Sequence, residues 1–144
     1  MIAPPPKPSQ PRAIELEQPH MRATTVANSF RYAIAGLHYL LWTQRNAKIH
    51  SAIGLIAVSL GFVLGIDRYE WLALTLTIAI VLAAEGVNTA IEAAVDLASP
   101  SYHPLAKIAK DVGAGTVLLT AIAAVIVGML LFLPHLLPFV LNWL

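Results

Sequence analysis

The stretch Trp71 to Leu97, "WLALTLTIAIVLAAEGVNTAIEAAVDL", starts as an uncharged apolar run and ends carrying Glu85, Asn88, Glu92 and Asp96. A helix needs about 20 predominantly apolar residues to cross the hydrocarbon of a bilayer, and this run has that length. Each residue of an ideal helix turns about 100°, so relative to Glu85 the side chains of Asn88, Glu92 and Asp96 fall at roughly −60°, −20° and +20°. The four polar groups therefore form one stripe. The other faces hold Gly86, Val87, Ala90, Ile91, Ala93, Ala94 and Val95, small or apolar residues suited to close helix packing in lipid. A carboxylate near the bilayer centre costs at least about 2.5–3.5 kcal/mol on the insertion scale, so the stripe must face protein, metal or water. A functional site is the first expectation. Two plainer readings stand beside it: the carboxylates are structural partners of Arg45 or Lys110, or the span is short and Glu92 and Asp96 lie in water. Asp96 is about 37 Å along the helix from Trp71, beyond the hydrocarbon, which still leaves Glu85 and Asn88 to be explained.

Working outward, the composition agrees with a bilayer. Of the 144 residues 58% are hydrophobic and 12% charged, far from a soluble globular composition. Further apolar tracts at Ala52 to Ile66 and Val112 to Leu133 bring the count of spans to three. The expected fold is an all-α membrane protein with transmembrane helices at about 48–66, 71–97 and 108–133. Ahead of them "ANSFRYAIAGLHYLLWTQR" sets Phe30, Ile34, Leu37 and Leu41 on one stripe, with Tyr39 and Trp42 suited to the headgroup level. This predicts an amphipathic surface helix over about 27–45, the alternative being a simple cytoplasmic extension of the first span. Residues 1–24 hold six of the ten prolines and read as a disordered cytoplasmic tail. Residues 134–144, with Pro134 and Pro138, read as an outer interfacial tail, leaving 25–133 as the working domain.

Charge sets the orientation. Lys7, Arg12, Arg22, Arg31, Arg45 and Lys48 precede the first span, Lys107 and Lys110 lie between the second and third, and no Lys or Arg follows the third. The positive-inside rule then puts the N-terminus and the 98–111 connection in the cytoplasm and the C-terminus outside the inner membrane. The net charge of +1 is too small to point to nucleic acid. With no cysteine, thiol catalysis and cysteine metal sites are excluded. No GxxxxGK[ST] or GxSxG occurs, and the histidines lack HExxH-like spacing, so a phosphate loop, a serine nucleophile elbow and a zinc site are not indicated.

A second polar group, "SYHPLAKIAKDVGAGTVLL", opens the third span, where Lys110 and Asp111 follow Lys107 at three and four residues. Lysines beside a carboxylate stripe suit a polyphosphate with its magnesium ions, the cations balancing phosphate while carboxylates hold metal. Taken alone, such lysines are more often a topology marker at the interface.

"EGVNTAIEAAVDL" followed by "YHPLAKIAKDVGAGTVLL", and preceded by "SFRYAIAGL" and "QRNAKIH", closely resembles the small prokaryotic diacylglycerol kinase family, which includes undecaprenol kinases. The resemblance runs from about Ala27 to Phe132. It implies a homotrimeric integral-membrane lipid kinase, with active sites formed between subunits, that moves the γ-phosphate of ATP with Mg2+ onto the hydroxyl of a membrane lipid. By match to the family motif Glu85 is the catalytic base and substrate contact, Glu92 a metal ligand, and Asn88 a neighbour of the reacting phosphate. Lys110 and Asp111 match the nucleotide-binding pair, and Tyr32, Ser101, Tyr102 and His103 match positions that contact ATP. Two residues depart from the pattern. Gln44 stands where the family usually has a glutamate that shares metal with the residue matching Glu92. Ala35 stands where many relatives carry a charged or polar residue at a substrate-contacting position. Diacylglycerol and undecaprenol remain equal candidates for the lipid. From other classes, a small proton- or cation-coupled transporter and a catalytically silent assembly subunit are the competing readings.

Overall fold

The computed structural model describes the backbone of residues 25–141 and the side chains of 25–138; the tail expected over 1–24 lies outside the described residues. Four helices follow in order: α1 (Val26–Thr43), α2 (Arg45–Leu64), α3 (Arg68–Ala98) and α4 (Pro104–Leu141), with no strand among the described residues. Helices α2, α3 and α4 are each long and apolar enough to cross a membrane. The chain is an all-α membrane protein.

Local chemistry explains where each helix stops. Thr25 Oγ1 accepts the Asn28 N–H at 3.3 Å and caps α1. Between α1 and α2 stands one residue, Gln44, in extended conformation at φ −84 and ψ 122. Neither glycine nor proline marks this break, and α2 consequently starts at Arg45, earlier than its apolar run. Gly65 closes α2 in the left-handed region at φ 64, and Ile66 N donates back to Gly61 O at 3.2 Å. Helix α3 also starts earlier than expected, because Asp67 and Glu70 form a reciprocal capping box. Asp67 Oδ1 accepts from Tyr69 N at 2.6 Å and Glu70 N at 3.0 Å, while Glu70 Oε2 accepts from Asp67 N at 2.8 Å. At α4, Pro104 takes the first helical position and His103 Nδ1 accepts the Leu105 N–H at 3.2 Å.

Within the outer tail expected over 134–144 the chain is helical as far as Leu141, because α4 runs on through Pro134 and Pro138. Each proline forfeits one backbone bond.

Helix α3 is the centre, packed against both α4 and α2, while α2 and α4 meet only briefly. The α2–α3 seam is built on small residues spaced by seven. A Cβ added to Gly61 would lie 2.9 Å from Ile66 and 3.1 Å from Trp71, and one added to Gly54 would lie 3.4 Å from Ile78. Seven residues back along α2 thus match seven forward along the antiparallel α3. The same register sets Ala47, which is 0% exposed, opposite Glu85. Glu85 therefore occupies the seam position that Trp71 and Ile78 occupy further along. Beyond the seam Ile66, Leu74 and Leu131 are buried with Trp71, Val127 and Phe132 around them.

Helix α1 is held by Leu40, which is buried and lies over Gly86, not by the stripe read from its periodicity. Phe30, Ile34, Leu37 and Leu41 are exposed and turn away from the bundle, as a face lying on lipid does.

Candidate functional site

The polar stripe grades from buried to open along α3. Glu85 is 3% exposed and Asn88 7%, Glu92 is half-buried, and the Asp96 side chain is 67% exposed. Asn88 Nδ2 donates to Glu92 Oε1 at 3.1 Å, and Thr89 Oγ1 donates to Glu85 O at 2.9 Å. Glu85 Oε2, Asn88 Oδ1 and Ser51 Oγ are buried without a hydrogen-bond partner. Leaving a buried polar atom unpaired costs about 1–3 kcal/mol, so three of them call for a ligand or a functional account.

At the open end the stripe meets the second polar group. Lys110 Nζ lies 2.5 Å from Asp96 Oδ1, and Lys107 pairs with Asp111 across one turn of α4. Lys110 and Asp111 thus belong to two separate ion pairs. The plain reading of a stripe carboxylate paired with Lys110 holds at Asp96, whereas Glu85 and Glu92 have no ion-pair partner among the described residues, and neither does Arg45.

The structure does not join every candidate to the stripe. Gln44 Nε2 donates to Thr43 Oγ1 at 3.3 Å, and no hydrogen bond links it to Glu92 among the described residues. Tyr32, Ala35, Ser101, Tyr102 and His103 are exposed. Ser101 accepts from Ser99 and His103 caps α4, so both are tied to the connection itself.

Three further residues lie around the site. On α2, His50 lines a cleft together with Val81 and Leu82 of α3, and Asn46 lies one turn before it. Gly113 of α4 leaves room for Asn88, because a Cβ there would come within 2.5 Å of Asn88 Oδ1. The sequence signal for the first two is a pair of polar residues four apart at the head of an apolar helix; for the third it is a glycine just past Asp111.

Among the described residues no three His, Asp or Glu side chains cluster as a metal cage. Magnesium asks for less, since one or two carboxylates commonly hold it while phosphates and water complete the shell. Half-buried Glu92 is a carboxylate of that kind, whereas Asn88 turns its Nδ2 toward Glu92 and buries its Oδ1 against Gly113.

The family model for prokaryotic diacylglycerol kinase matches residues 31–132, a range that includes every candidate residue above. The chain belongs to the prokaryotic diacylglycerol kinase family. Within this family of lipid kinases it is 51% identical to a diacylglycerol kinase of Synechocystis over 110 residues, 76% of this chain and 63% of the relative. It is 40% identical to an undecaprenol kinase of Bacillus subtilis over 108 residues, 75% of this chain and 88% of the relative. A diacylglycerol kinase of Escherichia coli K12 is 30% identical over 112 residues, 78% of this chain and 92% of the relative. The chain thus spans under two thirds of the Synechocystis relative's length.

Proposed function

We propose that the chain is an ATP- and magnesium-dependent kinase that phosphorylates the hydroxyl of a membrane lipid, diacylglycerol or undecaprenol. The observation that carries this reading is Glu85, a buried carboxylate with an unpaired oxygen at the deep end of a stripe that opens toward water. Along α3 Glu85 lies about 21 Å and Glu92 about 31 Å from Trp71, so in a hydrocarbon layer about 30 Å thick the first is inside and the second at its edge. A lipid alcohol reaches the first depth from the membrane, and a nucleotide reaches the second from the cytoplasm.

In the reaction the lipid oxygen forms a bond to the γ-phosphorus while the bond from that phosphorus to the bridging oxygen breaks, its electron pair leaving with ADP. The hydroxyl proton passes to the Glu85 carboxylate, which acts as general base. Asn88, held by its bond to Glu92, stands beside the reacting phosphate. Glu92, assisted by Gln44, would hold the magnesium ion, which supplies neutralisation of the β- and γ-phosphate charge. Lys110 and Asp111, with Tyr32 and the 101–103 connection, bind the nucleotide, so the Asp96–Lys110 pair opens as phosphate enters. Alignment of two substrates in one site contributes much of the remaining rate.

The reading extends to a homotrimer in the inner membrane, with the N-terminus and the α3–α4 connection cytoplasmic and the C-terminus outside. The distribution of Lys and Arg supports that orientation. The broad apolar surface, with Phe62, Val63, Leu118 and Leu119 exposed, leaves area for subunit packing as well as lipid.

The deciding assay offers purified protein in lipid labelled ATP with diacylglycerol or undecaprenol. Label transfer that depends on the alcohol and vanishes in Glu85→Ala is the expected result. Proton movement without transfer to any alcohol would replace the kinase by the transporter reading, and neither activity would leave a silent subunit.

A further inference from the structure

The end of the bundle remote from the polar stripe holds a second arrangement of polar groups. Leu131 of α4 is buried with Ile66 and Leu74, and one turn further on the same helix carries His135. His135 Nε2 lies 3.5 Å from Glu70 Oε2, with the two side chains 28% and 23% exposed, and His135 Nδ1 lies 3.1 Å from Leu131 O. The same Glu70 oxygen accepts the Asp67 N–H at 2.8 Å, so the capping box of α3 holds the carboxylate in place.

A carbonyl oxygen can only accept, so the contact of Nδ1 with Leu131 O is a hydrogen bond when Nδ1 carries the proton. In a neutral ring that leaves a lone pair on Nε2, facing a carboxylate oxygen that also only accepts. Both contacts are favourable together in the imidazolium alone, where both ring nitrogens donate. The charged and titratable groups around His135 all belong to the start of α3: Asp67, Arg68, Tyr69 and Glu70. Asp67 accepts from the backbone of Tyr69 and Glu70, and Arg68 Nη2 donates to Tyr69 Oη at 2.6 Å, so neither is spent on the histidine. Helix α2 brings no titratable residue from Ser51 to Leu64, and α4 none besides His135 from Val112 to Leu141.

We infer that His135 and Glu70 form a proton-operated clasp that ties the end of α4 to the capping turn of α3. Protonation closes it, and loss of the proton turns one of its two contacts from attraction to repulsion. An imidazole changes charge between about pH 5 and 8, so the clasp adds stability as pH falls through that range and withdraws it as pH rises. Helices α3 and α4 also carry the Asn88–Gly113 contact and the Asp96–Lys110 pair, and the clasp joins these two helices at their other ends. It does not depend on the kinase reading.

The experiment records thermal midpoints in lipid at about pH 8 and about pH 5.5, above the range in which an ordinary aspartate titrates, for wild type, His135→Gln, Glu70→Gln and the double variant. Glutamine serves at the third helical position of a capping box as glutamate does, so Glu70→Gln keeps the cap and removes only the charge. The other four histidines titrate alike in every variant, and the difference between slopes isolates the pair. On acidification the wild-type midpoint is expected to rise relative to each single variant by about 2 °C or more. The double variant is expected to match the single ones, because either substitution already removes the pair. Equal slopes in wild type and either single variant overturn the inference. So does a double variant whose slope falls beyond both single ones, since the two residues would then act separately.

Discussion

Asn88 of α3 fills the space that Gly113 of α4 leaves open, and a Cβ on Gly113 would stand 2.5 Å from Asn88 Oδ1. The same side chain donates through Nδ2 to Glu92 at 3.1 Å. Gly113→Ala therefore forces Asn88 to move and breaks the Asn88–Glu92 bond, a loss of about tenfold to a hundredfold in phosphoryl transfer. Gly115, two residues on, has nothing within 4 Å of an added Cβ. Gly115→Ala should leave activity intact and raise helix stability slightly. Transfer rates of the two variants under equal folding check the contrast.

How far the chain could be read without coordinates differs between its parts. The stripe was legible because 100° steps align Glu85, Asn88, Glu92 and Asp96 whatever surrounds them, and the three spans follow from apolar length. A break was expected between about 45 and 48, but not its place at Gln44, since no glycine or proline announces it. That α4 runs on through Pro134 and Pro138 was not legible either, since proline more often ends a helix than continues it. Asn46, His50 and Gly113 became visible only through the α2–α3 and α3–α4 registers, which depend on pairs of helices and not on any one segment.

The α2–α3 seam predicts graded responses to side-chain size. At Gly61 an added Cβ meets Ile66 at 2.9 Å and Trp71 at 3.1 Å, so Gly61→Leu should push the helices apart. Overpacking of this kind costs about 1–3 kcal/mol. At Gly54 the nearest atom, on Ile78, is 3.4 Å away, and Gly54→Ala should be tolerated. Thermal or denaturant unfolding in detergent distinguishes them, and equal midpoints would show that the seam is not tightly packed.

Asp67 gives a pH dependence outside the spans. The Glu70 backbone N–H, and after it that of Tyr69, hold the Asp67 carboxyl below the ordinary aspartate value. A carboxyl whose folded pKa is depressed stabilises the fold at pH above its unfolded value, about 3.9, and loses that contribution as pH falls through the folded value. Wild-type protein should lose thermal stability in that acidic window more steeply than Asp67→Asn, which keeps the cap without the titration. Parallel slopes in a pH series of midpoints would contradict the cap's role.

Gln44 offers the sharpest test of the metal assignment, because its place in the fold creates a confounding effect that can be separated. It is the N-cap residue of α2 and makes no side-chain cap bond there. Gln44→Glu would set a negative charge at a helix N-terminus, which is favourable without any metal. A higher thermal midpoint in the absence of magnesium is therefore expected and says nothing about catalysis. The informative quantity is the magnesium concentration for half-maximal transfer. A glutamine offers a carbonyl oxygen but no charge, so the glutamate variant should reach half-maximal rate at lower magnesium than wild type. An unchanged or weaker apparent affinity, with the midpoint still raised, would mean that residue 44 acts on α2 alone and that Glu92 holds the metal without it.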